Sequence, residues 1–422
     1  MAREVARSGG RRAGKAAEVE RAVAARDAER LAELSAEPGG LVSDFLRRRA
    51  WPLLLAADAD DASAASPKRA KTRDALVQEF NMDIERSMFH FGCDKALPRD
   101  LRVLKREALT EIILNVLRAD ATLHYYQGFH DVATVHLHVM GNDIRAASET
   151  TLAASRLQFK DHHGQDFGAT IQAMNLLPVI IHHFDHKVST TLERAEVGPM
   201  FALAWVLTGF AHSVQDLNVT ARLFDIILAS HPLLCIYLAA ALVLRPTTRR
   251  RLLEVAEEDC SMPTIHHFLQ NIAPPCAPMT SRDSWEQRNK KYKAQRKRIA
   301  KRQASAGAPV SGSSYVPATR AEEKENCVDN LVESALFMMA RFPPADLIRV
   351  GERTRNVDLP KLSAMRLPLK TRRAWIASMN WAVHHARWTV SHPAATAAAV
   401  AAVAVALALV WTRPSTVGAM AR

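Results

Sequence analysis

From about residue 72 to residue 273, apolar and polar positions recur with the period of an α-helix. Segment 105–120 places its apolar residues on one helix face and its charged residues on the other. Segments 198–214 and 218–244 are nearly all apolar, the second being interrupted at Pro232, and such helices belong in the centre of a large bundle. Strand-like runs of Val, Ile and Thr are scarce, so the pattern predicts an all-α fold.

Helical patterns also lie on both sides of this central region. The pattern of residues 1–40 predicts a basic tail followed by an amphipathic helix at 16–34. Pro38 and the two glycines after it are expected to end this segment. Because this segment is polar, we expect it to be separate from the main domain. The other predicted helices lie at 41–55, closed by Trp51-Pro52, at 165–184, and at 328–351 with a stop at Pro343-Pro344.

Most of the excess positive charge lies in one polar segment. The chain has 422 residues and a formal net charge of +12. Residues 281–302 contain ten Lys or Arg and two acidic residues, and a Ser-, Ala-, Gly- and Pro-rich stretch follows. The composition therefore predicts a disordered insertion at 281–326. Contact of residues 281–302 with an anionic lipid surface is favoured; nucleic-acid binding, with Trp285 and Tyr292 stacking on bases, is the alternative.

An uncharged segment at 393–411 has the length of a membrane-spanning helix. It approaches the ~20 residues that a helix needs to cross ~30 Å of hydrocarbon. Trp388 and Trp411 lie near its two ends, and basic residues are more numerous before it than after it. The positive-inside rule then places the N-terminal body in the cytosol. The sequence predicts a C-terminal transmembrane tail anchor, with a buried Ala-rich helix as the alternative, and an anchored chain is not expected to bind nucleic acid.

Several other signals exclude classes of protein. The N-terminus has no apolar core and so is not a secretory signal, and Glu4, Glu18 and Glu20 argue against an organelle transit peptide. Five scattered cysteines without CxxC spacing indicate neither a disulfide framework nor a zinc site. Adjacent histidines on a helix point about 100° apart, so no metal site is expected. These histidine pairs are His162-His163, His182-His183, His266-His267 and His384-His385.

Two short segments carry polar residues that a helical core does not require. Asp83 and Arg86 are three residues apart, so they share one helix face. Further along, Tyr125, Gln127 and Gly128 lie together, and the glycine indicates a backbone position that tolerates no side chain. Taken singly, the first segment could be a surface ion pair and the second a capping loop.

Taken together, these segments resemble the paired motifs IxxDxxR and YxQGxxD of the TBC-domain Rab GTPase-activating proteins. Phe80 replaces an aliphatic residue of the first motif and is expected to face the core. The resemblance covers about 35–275 and 328–350, and it is strongest to the branch that is tail-anchored in the endoplasmic reticulum. The matching positions are Phe80-x-x-Asp83-x-x-Arg86, Tyr125-x-Gln127-Gly128-x-x-Asp131, and the structural residues Trp51, Trp205, Arg222 and Asp225.

The resemblance implies a TBC domain of two helical lobes at 41–275, completed by 328–351. It implies an activator of GTP hydrolysis by a GTP-bound Rab-family GTPase in membrane trafficking, rather than a stand-alone hydrolase. The localisation that it implies is the endoplasmic-reticulum membrane, with a cytosolic body. No cofactor of its own is expected, because GTP and Mg²⁺ belong to the GTPase. The alternative is an inactive, membrane-tethered adaptor that binds a Rab.

The resemblance also implies a role for each motif residue. Arg86 would be an arginine finger that stabilises charge on the transferred phosphoryl group, and Gln127 would orient the attacking water. Asp83 would orient the guanidinium of Arg86. The remaining residues would support the glutamine loop, Tyr125 and Gly128 by shaping it and Asp131 by holding it to the scaffold.

Overall fold

Helices make up the regular structure of the described residues. This described part of the chain contains no β-strand, and one backbone bridge joins Cys276 to Cys327. The all-α prediction is therefore confirmed for this part of the chain. No helix here is both long enough and apolar enough to cross a membrane, and the predicted segments 281–326 and 393–411 lie outside the described residues. The computed structural model describes residues 2–56, 72–95, 97–272, 275–276 and 327–355.

The α-helices are numbered α1 to α18 in chain order. Short 3-10 turns lie at Lys160–His163 and Pro199–Ala202. The helices are α1 (Ala2–Ala24), α2 (Ala28–Ala36), α3 (Asp44–Ala56), α4 (Arg73–Arg86), α5 (Gly92–Lys95), α6 (Arg99–Ala119), α7 (Phe129–Val139), α8 (Ile144–Leu157), α9 (Gly168–Met174), α10 (Leu176–Phe184), α11 (His186–Arg194), α12 (Leu203–Leu207), α13 (Leu217–Ile227), α14 (Leu234–Leu244), α15 (Pro246–Glu258), α16 (Met262–Gln270), α17 (Val328–Arg341) and α18 (Pro344–Arg355).

The N-terminal helices belong to the hydrophobic core, which corrects the expectation of a separate tail. The helix predicted at 16–34 is in fact two helices, because Asp27 accepts a hydrogen bond from the backbone NH of Arg30 and caps α2. Val19 of α1 and Leu31 of α2 are fully buried. Both helices pack against α3, so these residues are part of the folded body.

Prolines and glycines set several boundaries, though not always as predicted. The expected interruptions at Pro232 and Pro343 are confirmed, since each lies between two helices. Pro52, in contrast, lies inside α3, which continues so that Leu54 and Leu55 are buried. The helix predicted at 165–184 is divided into α9 and α10, and that predicted at 198–214 is reduced to a 3-10 turn and α12.

The helices pack in two sets. The helices α3, α6, α7 and α8 contact one another, and α10, α14, α17 and α18 form a second set. Helix α13 contacts α3 and α7 of the first set and α17 of the second. Trp205, on α12, is buried and stacks on Phe210 with ring centroids 5.9 Å apart. Helix α14 is buried almost all round, as its apolar sequence predicts.

Asp225 of α13 forms a buried polar centre between the first helices and the core. Its side chain has no exposed surface. It accepts hydrogen bonds from the indole Nε1 of Trp51 at 2.9 Å, from Arg47 Nε at 2.9 Å and Nη2 at 3.0 Å, and from the backbone NH of Leu41 at 3.0 Å. Trp51 and Asp225, both taken as structural residues from the sequence, are thus joined by a direct hydrogen bond. A buried carboxylate needs such donors, because burial removes its hydration.

Arg222 makes a second connection one turn earlier in α13. Its Nε lies 2.8 Å from the carboxylate of Asp329 in α17. Its Nη atoms donate to the carbonyl oxygens of Ser35 and Glu37 at 2.8 Å and 3.0 Å. Asp329 in turn accepts from the backbone NH of Gly39. The residues after the 281–326 segment are therefore held to the N-terminal helices through α13.

Four histidines are buried in the core as neutral bases. Burial lowers the pKa of His136 and His162 to about 3, and that of His163 and His231 to about 4. The pair His162-His163 therefore packs in the core, where both rings contact Tyr126 edge-on.

Replacement of Asp225 by Ala should lower the free energy of unfolding by about 3–5 kcal/mol, because Arg47 would keep a buried charge without its main partner. Asp225→Asn, which keeps one acceptor oxygen, should cost less. The control is Asp346→Ala, which removes a half-exposed pair with Arg349 and should change stability by less than about 1 kcal/mol. Chemical denaturation measures all three, and equal losses for Asp225→Ala and Asp346→Ala would contradict the prediction.

Stability should fall as the pH falls from about 6.5 towards about 4. The unfolded chain binds protons at its histidines near pH 6.5, whereas the four buried histidines stay neutral until far lower pH, so acid favours unfolding. At one pH unit below 6.5, each buried histidine should lower the free energy of unfolding by about 1 kcal/mol. Denaturation midpoints across this range measure the effect. His136→Leu should flatten the pH dependence, and the exposed control His267→Leu should not.

Candidate functional site

Arg86 is the last residue of α4 and its side chain is exposed. It makes no ion pair or hydrogen bond with the other described residues. The opposite face of α4 is buried through Phe80 and Ile84, and the Phe80 ring contacts the ring of Tyr125 at 5.3 Å between centroids. The prediction that Phe80 faces the core is confirmed. The helix is thus held by its apolar face while Arg86 projects from its end.

Two arginines of α6 hold the backbone on either side of Arg86. Arg106 donates to the carbonyl oxygens of Glu85 and Ser87, the latter at 3.1 Å. Arg102 donates to the carbonyl of Met88 at 3.2 Å. These groups satisfy carbonyls that the end of a helix leaves free. Sequence reasoning missed both arginines, although a pair of arginines four apart at the start of a helix was visible in the sequence.

Gln127 lies in a tight turn before α7 and is exposed, with no side-chain hydrogen bond to the described residues. On one side, Tyr126 is buried and its hydroxyl donates to the carbonyl of Leu207 at 2.9 Å. On the other side, Gly128 has a φ of 100°. A Cβ atom there would lie 2.9 Å from Cγ2 of Thr208. Both the backbone angle and the lack of space therefore require glycine, as its position in the sequence suggested.

Tyr125 joins the glutamine turn to α4. Its hydroxyl donates to the carboxylate of Asp83 at 2.6 Å. Burial, and then this carboxylate, raise the pKa of Tyr125, so the hydroxyl keeps its proton. The expected pairing of Asp83 with Arg86 is absent among the described residues, because Asp83 faces Tyr125 while Arg86 points to solvent. Asp83 thus holds the two motif segments together rather than orienting the guanidinium in this structure.

Asp131, in the first turn of α7, binds two histidines that the sequence analysis did not assign to the site. The His212 Nδ1 atom lies 2.8 Å from its Oδ2, and the His130 Nε2 atom lies 3.4 Å from its Oδ1. Burial alone would raise the pKa of Asp131, but the hydrogen bond from His212 and the neighbouring histidines bring that pKa below its ordinary value. The same hydrogen bond raises the pKa of His212. Asp131 thus connects the turn to the loop that carries His212.

The described residues also contain a group of three potential metal ligands. One ligand atom each from Cys93, Asp94 and His138 lies within 4.8 Å of the others. The ammonium of Lys105 is 3.7 Å from Asp94 and 3.3 Å from His138, and His138 is 3.0 Å from Asp94. The buried carboxylate therefore already has cationic and polar partners, and a bound cation would have to displace the lysine.

The arrangement presents two exposed polar side chains from two segments that a partly buried hydrogen bond connects. A guanidinium offers five N–H donors and a permanent charge, which suits the oxygens of a phosphate. An amide offers both a donor and an acceptor, which suits a water molecule beside such a phosphate. Since neither Arg86 nor Gln127 is engaged within the described residues, both are available to a partner.

Comparison with known proteins identifies a domain within the chain. A model of the Rab-GTPase-TBC domain matches residues 44–248. The human protein TBC1 domain family member 20 is 35% identical over 246 residues, which are 58% of this chain and 59% of the relative. GTPase-activating protein gyp10 of Schizosaccharomyces pombe is 28% identical over 244 residues, 58% of this chain and 63% of that protein. The match thus spans about three fifths of these relatives. Residues 44–248 of this chain therefore form a Rab-GTPase-TBC domain.

Proposed function

We propose that this chain is a GTPase-activating protein for a Rab-family small GTPase. The observation that carries the proposal is the pair of unengaged side chains, Arg86 and Gln127, on segments joined by the bond between Tyr125 and Asp83. The names of the fission-yeast relative and of GYP8 from Saccharomyces cerevisiae, which is 25% identical over 214 residues, support this activity.

Arg86 would act on the phosphoryl group that the bound GTPase transfers to water. Catalysis of phosphoryl transfer depends on positioning and on neutralising charge in the transition state. The planar guanidinium can bind two phosphate oxygens at once, and such a finger contributes about 10³–10⁵ in rate. Arg102 and Arg106 fix the backbone around Arg86, so little backbone freedom is lost when the finger engages.

Gln127 would orient the attacking water. The turn that carries it is rigid, because Tyr126 is anchored to Leu207 and Gly128 lies against Thr208. A rigid donor–acceptor group beside the reacting atoms lowers the entropy cost of aligning water with phosphorus. GTP and Mg²⁺ would come with the GTPase, so the chain supplies side chains only.

Membrane attachment is a separate part of the proposal. We propose that residues 393–411 anchor the chain in the endoplasmic-reticulum membrane with the helical body in the cytosol, and that residues 281–302 contact anionic lipid. The length and flanking residues of the first segment support the anchor. The ten basic residues of the second would each contribute about 1 kcal/mol near an anionic surface.

Arg86→Ala should lower stimulated GTP hydrolysis by about 10³-fold or more, and Gln127→Ala by about 10²-fold or more. The full chain, purified in mild detergent, is assayed against a panel of GTP-loaded Rab GTPases. The exposed Arg118→Ala serves as a matched control and should keep full activity. Undiminished stimulation by Arg86→Ala would disprove the finger assignment, and binding of a Rab without any stimulation by the wild type would favour the adaptor.

Deletion of residues 393–422 should move the chain from an alkali-resistant membrane fraction to the soluble fraction of cells. Deletion of residues 412–422 alone should leave it in the membrane, because the apolar segment is retained. Imaging with an endoplasmic-reticulum marker identifies the membrane. A chain that stays alkali-resistant without residues 393–422 would refute the anchor.

A further inference from the structure

A continuous line of polar side chains joins the segments that carry the two exposed residues of the candidate site. It begins at Asp83 and passes through Tyr125 to His130, whose Nδ1 lies 3.3 Å from the tyrosine hydroxyl and 3.6 Å from Asp83. From His130 it continues to Asp131 and then to His212. Apart from the step between His130 and Asp131, which are neighbours in α7, each step joins side chains from different elements or from opposite ends of the glutamine turn.

From His212 the line continues to His90, which follows Arg86 closely in the sequence. The ring of His212 stacks on that of His90 at 5.9 Å with only 4° between the planes. His90 contacts the carbonyl of Val214 through Nε2 at 3.1 Å. The segment after α4 is thus attached to the loop at 212–215, where the backbone NH of Gly92 also donates to the carbonyl of Gln215 at 3.1 Å. The segments before and after Arg86 therefore both connect to the network that holds the glutamine turn.

Asp131 belongs to the same turn as Gln127. Its backbone NH donates to the carbonyl of Gly128 at 3.0 Å, and that of Phe129 donates to the carbonyl of Tyr126 at 3.1 Å. The direction of the Gln127 side chain consequently depends on where the Asp131 carboxylate is held. Asp131 is 7% exposed, so it needs strong donors, and the nearest is His212.

The exposure of His212 indicates that hydrophobic packing is not its main contribution. Its side chain is 61% exposed, in contrast to the buried carboxylate that it contacts. A side chain so exposed contributes little by burial. Its charged and polar neighbours are Asp131 on α7, Asp83 on α4 and His90 in the segment after α4.

We propose that His212 is a positioning residue, which acts through Asp131 to hold the glutamine turn in the geometry that aligns water for hydrolysis. This inference rests on the proposed GTPase-activating function. Misplacement of a catalytic group by about 1 Å can cost about 10²-fold in rate. A partial loss of the hold on the turn should therefore lower the rate of the chemical step and leave binding of the GTPase largely intact.

The test compares three single variants in stimulated GTP hydrolysis by the full chain. His212→Leu removes the donor and should lower kcat by about tenfold. The Kd of this variant for a Rab loaded with a non-hydrolysable GTP analogue should change by less than about twofold. His212→Gln keeps an N–H donor and should retain most of kcat. His267→Leu, an exposed histidine on α16 without a carboxylate partner among the described residues, should behave as the wild type.

A second measurement asks whether the effect passes through Asp131. In a chain that carries Asp131→Leu, which keeps the branched shape but has no acceptor, His212→Leu should cause no further loss of kcat. If His212→Leu lowers kcat in that chain as much as it does in the wild type, His212 does not act through Asp131 and the inference is wrong. Thermal unfolding of each variant checks that the fold is kept.

The outcomes separate this inference from the function on which it rests. If the wild type stimulates no Rab, the proposed function fails. If the wild type is active and His212→Leu matches it, the inference alone is wrong. It is also wrong if His212→Leu weakens Kd as much as it lowers kcat/KM, because the histidine would then serve GTPase binding.

Discussion

A buried anion must find its hydrogen-bond donors inside the protein, and the carboxylate of Asp225 imposes this requirement on the whole domain. Its donors come from Leu41, Arg47 and Trp51, all near the start of the folded chain. One turn away, Arg222 donates to carbonyl oxygens at the end of α2 and just after it, and to the carboxylate of Asp329 in α17. Helix α13 is thus the place where three regions that are far apart in sequence meet. An error in the packing of any of them leaves a buried charge unpaired.

The candidate site is supported by the same helix. Helix α13 contacts α7, and the first turn of α7 carries Gly128 and Asp131. The glutamine turn therefore rests on the core, while α4 is attached from outside by the Tyr125–Asp83 bond and by Arg102 and Arg106. Rigid support of this kind keeps exposed side chains aligned without burying them.

Local rules explain which features could be predicted from the sequence. Helical periodicity gave the all-α class, and the need for a position without a Cβ gave Gly128. The partner of Asp83 could not be found in this way, because spacing on a helix tells which residues share a face and not which distant residue faces them. His212 was missed for the same reason, since it lies 81 positions from Asp131. The N-terminal helices were taken for a tail because their many charges masked apolar positions that only contact with α3 buries.

The backbone bridge between Cys276 and Cys327 places the two ends of the intervening sequence side by side. Cys276 and Cys327 are therefore neighbours in space although fifty residues of sequence lie between them. Closing a flexible loop becomes only about 0.6 kcal/mol more costly with each doubling of its length. Helix α17 can therefore keep its packing against α14 and the ion pair between its Asp329 and Arg222, whatever the number of residues between the two cysteines. A change in the length of the sequence between these two cysteines should therefore alter the free energy of unfolding only slightly.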